Sequence, residues 1–204
     1  MLPCMARNPI IAVALMLAGT ACDDTVVPEG TRPAGAPPDA GPSVNVAAPS
    51  PTSTSLLEAG DAAPNLAMLA HNGLRLTVAD FRGQPVVAYF YPKDGTPGCT
   101  AQAEGFRDTW RDFRRAKAVV LGISTDDSVT HRAFADELDL PFLLIADPSH
   151  EVAGAFGVPV ENGKAKRVTF LIDGRGRIAK VWPGVDPRAN PGEVLAALRA
   201  LEST

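Results

Sequence analysis

The chain has 204 residues, enough for one ordinary domain with a tail or at most two small domains. With 46% hydrophobic and 21% charged residues it can bury a sizeable core. A net charge of −4 with no clustered Lys/Arg stripe excludes a face for nucleic acid, and three cysteines are too few for a disulfide scaffold.

Residues 1–22, MLPCMARNPIIAVALMLAGTAC, carry Arg7 as the only charge, then an apolar run from Ile10 to Ala18, then small residues. That is the layout of a secretory signal, and the run is short of the ~20 residues that span a bilayer. The stretch Gly19-Thr20-Ala21-Cys22 resembles the lipobox of bacterial lipoproteins, which implies acylation of Cys22 and a firm envelope anchor. The usual leucine is absent where Gly19 stands, and the same residues suit an ordinary signal peptidase that would leave Cys22 a free thiol. Residues 23–59, rich in Pro, Ala, Gly, Ser and Thr, hold few large apolar groups and read as an extended tether. At ~3 Å per residue its reach is roughly 100 Å. The folded domain is expected over 60–204.

Within that domain the turn His71-Asn72-Gly73 precedes a strand-like stretch around Leu74–Leu76. The run PVVAYFY, Pro85–Tyr91, has no polar alternation and predicts a central strand covered on both faces. A helix is expected over Thr100–Lys117, with Phe106, Trp110 and Phe113 on one face and Arg107, Arg111 and Arg114 off it. Strands follow at Ala118–Ser124, Phe142–Ala146, Val168–Ile172 and, after the Asp173-Gly174 turn, Ile178–Trp182. Further helices are expected from Ser128, as cap, to Leu138 with Val129, Phe134 and Leu138 apolar, and over Glu151–Phe156 and Glu193–Leu201. Strands alternating with helices predict an α/β fold whose sheet is parallel at its centre, with sites at the carboxyl ends of the central strands.

That rule points to YFYPKDGTPGCT, Tyr89–Thr100, where Cys99 stands near the start of the following helix. Unpaired backbone N–H groups and the helix dipole favour a thiolate there, and the thiolate is the nucleophile. A buried, inert cysteine is an equal reading on placement alone. His71, His131 and His150 are widely spaced and form no metal-ligand pattern. Asp126-Asp127 read as a helix-start turn, Trp110 and Trp182 as packing, and Arg114, Arg115 and Lys117 as a solvated face.

The string Pro92-Lys93-Asp94-Gly95-Thr96-Pro97-Gly98-Cys99 fits the P-x-x-x-T-x-x-C signature of peroxiredoxins. Together with Gly60–Pro64, FRGQPVVAYFYPKDGTPGCT, LGISTDD, LPFLLIADPSHEVAGAFGV, RVTFLID and VWPGV, it resembles the bacterioferritin comigratory protein (peroxiredoxin Q) branch from residue 60 onward. The resemblance implies a thioredoxin fold and reduction of hydrogen peroxide and organic hydroperoxides. It makes Cys99 the peroxidatic cysteine, which passes through a sulfenic acid. Thr96 resembles the threonine that orients thiolate and peroxide, Pro92 the proline that shields the sulfur, and Arg167 the distant arginine that returns to the pocket. Without the family, Arg167 reads as a surface cation. No cofactor or metal is implied, and the branch is commonly monomeric.

Two positions depart from the branch. Glu104 stands where many members carry a resolving cysteine, and Gln102 stands where a glutamate is frequent. If Cys22 is acylated and Cys4 removed, Cys99 is the last thiol, a one-cysteine arrangement that needs an external thiol or thioredoxin-like partner. A free Cys22 could resolve through the tether. A thioredoxin-fold binding lipoprotein without turnover is a rival reading, while a disulfide reductase is disfavoured because no Cys-x-x-Cys exists.

Overall fold

The run at residues 85–91 forms β3, Val86–Phe90, the middle of the molecule, and all five of its residues are buried. The computed structural model describes residues 55–202; the signal-like segment, Cys4, Cys22 and the tether up to residue 54 lie outside the described residues. The remaining strands and α-helices are β1 (Met68–Ala70), β2 (Arg75–Leu76), α1 (Pro97–Asp108), α2 (Trp110–Arg115), β4 (Val119–Ser124), α3 (Ser128–Glu137), β5 (Leu143–Ala146), α4 (Glu151–Ala155), β6 (Val160–Glu161), β7 (Lys164–Ala165), β8 (Val168–Ile172), β9 (Ile178–Trp182) and α5 (Asn190–Glu202), with a short 3-10 helix at Val78–Phe81. A seven-stranded sheet runs β2-β1-β5-β4-β3-β8-β9. Its centre is parallel, β3 against β4 and β4 against β5, while β8 lies antiparallel to β3. β3 and β8 therefore bring the segment after Phe90 and the segment before Val168 to the same end of the sheet, since Phe90 pairs with Val168.

Because side chains alternate along a strand, β3 feeds two cores. Val86, Ala88 and Phe90 pack with Phe156, Phe170 and Ile172 on one face. Val87 and Tyr89 pack with Phe106 of α1, Phe113 of α2, Phe134 of α3 and Leu198 of α5 on the other. Tyr89 needs Gly122 beside it: a Cβ there would stand 2.6 Å from the Tyr89 hydroxyl, which explains a glycine inside β4.

Several expectations need correction. The single helix expected at 100–117 starts earlier and is broken at Thr109, whose hydroxyl donates to the Gly105 carbonyl at 2.6 Å. The same carbonyl also accepts the Thr109 backbone N–H at 3.2 Å, so the hydroxyl shares the last acceptor of α1 with the helix ladder. α3 is capped by Asp127, whose carboxylate accepts from Thr130 N at 2.8 Å, rather than by Ser128. Val129 is 77% exposed, and the core face of α3 is instead His131, Phe134 and Ala135. α5 begins at Asn190, three residues before the expected start at Glu193. Order begins before residue 60: Leu56 and Leu57 pack on the core, and Leu57 N donates to Phe156 O at 3.2 Å. β1 and the β6–β7 hairpin were not foreseen; the latter turns at Asn162 and Gly163, both at positive φ, the pattern an Asn-Gly turn favours.

Candidate active site

Thr96 is the N-cap of α1 and Pro97 its first residue, where a missing N–H costs nothing and the fixed φ suits the helix. Cys99 falls in the first turn, ahead of which the first backbone bond runs from Thr100 N to Thr96 O at 2.9 Å. The N–H groups of Gly98 and Cys99 therefore belong to the unpaired donors of the helix start, which favour negative charge. The thiol is 1% exposed. The Thr96 hydroxyl donates to the Lys93 carbonyl at 3.1 Å, closing the loop on itself. Pro92, half-buried, opens that loop directly after Tyr91.

Arg167, 68 residues further along, does reach the thiol. It sits just before β8, and the β3–β8 pairing carries it to the same sheet end as Cys99. One guanidinium nitrogen, Nη2, donates to Cys99 Sγ at 3.2 Å and the other, Nη1, to Gln102 Oε1 at 2.6 Å. Gly98 lies against the guanidinium, where a Cβ would stand in ordinary contact with Nη2 at 3.4 Å. Gln102 is wholly buried, and its Nε2 donates to Asn190 Oδ1 at 2.9 Å. The same oxygen accepts the Thr169 hydroxyl at 2.9 Å. Asn190 reaches across because Gly105 lets α1 and α5 touch, a Cβ there lying 2.8 Å from Pro191 Cγ. The turn before α5 is held by Asp186, whose Oδ1 accepts from Arg188 N at 2.8 Å and Ala189 N at 3.1 Å. Those backbone bonds hold its carboxyl below the usual range.

The result is a chain of fixed donors and acceptors, Thr169–Asn190–Gln102–Arg167, aiming a permanent cation at one sulfur. Gln102 is a neutral acceptor, so the guanidinium keeps its full charge for the thiolate and for oxygen atoms arriving beside it. Of the residues singled out in the sequence, the structure joins Cys99 and Arg167 directly and puts Pro92 and Thr96 in the loop that leads to them. Asn190 and Thr169 were missed; for Thr169 the signal was a lone polar residue in the apolar string VTFLI, residues 168–172. Glu104 points away to Arg107 at 4.0 Å. Among the described residues no group of three metal-ligating side chains stands together.

Residues 59–181 match the AhpC/TSA family. Peroxiredoxin Bcp of Bacillus subtilis is 39% identical over 150 residues, which cover 70% of this chain and 96% of that protein. Peroxidoxin BcpB of Mycobacterium tuberculosis shares the fold with a TM-score of 0.68 at 32% identity, over 71% of this chain and 98% of its own. Peroxiredoxin Q of Xanthomonas campestris gives a TM-score of 0.64 at 32% identity, over 66% and 90% respectively. An α/β sheet flanked by helices, a thiol at the start of α1 and these relatives agree: the chain belongs to the AhpC/TSA family, as a thioredoxin-fold peroxiredoxin of the Bcp/Q type.

Proposed function

We propose that this peroxiredoxin is a one-cysteine thiol peroxidase of the cell envelope, anchored through Cys22, with Cys99 as its peroxidatic residue. The observation that carries the chemistry is the 3.2 Å contact between Arg167 and the buried Cys99 sulfur. The thiolate attacks the terminal oxygen of a hydroperoxide and the O–O bond breaks. Sulfur is oxidised by two electrons to the sulfenic acid, and the departing alkoxide takes a proton to leave as an alcohol, or as water from hydrogen peroxide. Arg167 and the first-turn N–H groups of α1 stabilise the negative charge that passes to oxygen, the task of preorganised donors in a dry site.

With Glu104 in place of a resolving cysteine, the sulfenic acid is reduced from outside. One thiol condenses with it, releasing water and forming a mixed disulfide, and a second thiol displaces that disulfide. Arg167 also borders an open groove of about 620 Å³ with Leu56, Pro159, Val168, Pro183 and Val185, whose apolar walls suit the alkyl part of an organic hydroperoxide. The test is turnover: the full chain should consume hydrogen peroxide and cumene hydroperoxide in the presence of a thiol reductant. Cys99→Ser should abolish this while Cys22→Ser leaves it intact. Loss of turnover in Cys22→Ser would instead make Cys22 a resolving thiol.

A further inference from the structure

The carboxyl end of the parallel strands holds the thiol, and their amino end holds an excess of arginine. α1 and α2 meet there, and a cleft of about 810 Å³ along them is lined by Arg107, Arg111, Arg114 and Arg115, with Trp110 at its side. The acids in its wall are Asp108 and Asp112, so four positive charges stand against two negative. Both acids are already engaged: Asp108 by Arg107 at 3.0 Å, and Asp112 by Arg115 at 3.1 Å and, from α5, Arg199 at 3.6 Å. Among the described residues the exposed cations Arg111, Arg114 and Lys117 have no carboxylate within ion-pair distance. The sequence reads Arg114, Arg115 and Lys117 as a solvated face; the fold gathers Arg107 and Arg111 beside them, on a chain whose net charge is −4.

An apolar strip lies next to these cations. A second groove, of about 420 Å³, shares Trp110 and Arg114 with the first and continues past Lys117 over Pro141, Phe142 and Leu143. Pro141 is exposed and Leu143 half-buried. Trp110, also half-buried, packs beside the buried Phe142 with ring centroids 6.0 Å apart. A compact anion needs donors that converge on one point, whereas these are exposed side chains fanned along two helices. A broad anionic surface with an apolar layer beneath it suits both features. Each arginine near such a surface strengthens binding roughly fivefold, and tryptophan prefers the boundary between headgroups and acyl chains.

We propose that the face formed by Trp110, Arg111, Arg114, Arg115 and Lys117 docks on a bilayer containing anionic phospholipid. α1 runs from the thiol to this face, its twelve residues spanning about 18 Å, so a docked molecule turns Cys99 away from the lipid. Docking needs neither an acyl group at Cys22 nor turnover at Cys99, and it stands or falls apart from both.

The test uses the full chain carrying Cys4→Ser and Cys22→Ser, so that no acyl anchor contributes. Its binding is measured by co-sedimentation with vesicles of phosphatidylcholine alone or of an equal mixture with phosphatidylglycerol. The apolar run Ile10–Ala18 is common to every sample, so phosphatidylcholine alone sets the baseline. The anionic vesicles should bind about a hundredfold more tightly than that baseline, and high salt should remove the gain. Arg111→Glu with Arg114→Glu should return binding to the baseline while hydrogen peroxide consumption in solution keeps its parent rate. If that double variant misfolds, Arg111→Ala and Arg114→Ala decide, each expected to weaken anionic binding about fivefold. Trp182→Phe leaves Trp110 the only indole, and brominated lipid in the anionic vesicles should quench it. Equal binding to the two kinds of vesicle, a gain that the arginine variants leave intact, or binding without quenching of Trp110 would overturn the proposal. Tighter binding to a duplex oligonucleotide at the same salt would also overturn it, making nucleic acid the occupant.

Discussion

The two faces of the sheet are built on different terms. Behind Phe90, Phe156, Phe170, Val168 and Ile172 form an apolar layer, at whose edge one buried carboxylate, Asp147, accepts from Val152 N and Ala153 N at the start of α4. On the other face Gln102, His131, Thr169 and Asn190 are buried among Phe106, Phe113 and Leu198. A buried polar group costs free energy unless it is bonded, and these bond in chains that end at Cys99 or at its loop, while Asn190 Nδ2 is left without a partner. One face holds the fold together; the other holds a thiol, a guanidinium and a loop in fixed relation, at some cost in stability.

Substitutions on the two faces should therefore separate stability from reactivity. Phe170→Ala, on the apolar face, should cost about 3–5 kcal/mol in denaturant unfolding while the molecules that remain folded form sulfenate at the parent rate. A matching loss of reactivity would deny the division of labour. Arg167→Ala should do the reverse, slowing sulfenate formation about a hundred- to a thousandfold, the usual effect of removing one preorganised donor, with little change in the unfolding midpoint. Gln102→Glu puts a carboxylate against the guanidinium and should slow the peroxide step roughly tenfold, about 1.4 kcal/mol. Stopped-flow kinetics at fixed pH would measure it, and an unchanged rate would mean that the charge of Arg167 is not what Gln102 preserves.

The smallest effect concerns Asp186, which braces the turn leading to Asn190. Its carboxyl is held low by the backbone bonds of Ala189 and Arg188, so its contribution to stability is present above the ordinary aspartate range and is lost as pH falls through the lowered folded value. Asp186→Asn should lower the unfolding midpoint at pH 6, and the gap should narrow as pH falls below the ordinary aspartate range. A gap that does not change with pH across the acid range would assign the loss to the shape of the turn.

How far the molecule was legible in its residues follows the same division. Apolar runs without alternation announced β3, β4, β5 and β8, because strands buried on both faces leave no other pattern. The string from Pro92 to Cys99 located the thiol, and strand order then explained how Arg167 arrives. What stayed hidden was set by tertiary contact. Nothing local tells that Asn190, at the start of α5, will meet Gln102 on α1. His131 was in principle readable: with Phe134, Ala135 and Leu138 it stands at i, i+3, i+4 and i+7, the core face of α3, which Val129 does not share. A histidine on that stripe needs buried partners, and Asp94 was already in view in the loop.

The most direct test of the central claim is single-turnover trapping. The full chain with Cys4→Ser and Cys22→Ser would be given one equivalent of hydrogen peroxide in the presence of a sulfenate-trapping reagent, beside the same protein with Arg167→Ala, and the adduct located by mass spectrometry. Rapid trapping at Cys99 that slows a hundredfold or more without Arg167 is the predicted result. Trapping no faster than at a free cysteine, with or without Arg167, would contradict the peroxidase assignment and leave the buried thiol a structural feature of a binding protein.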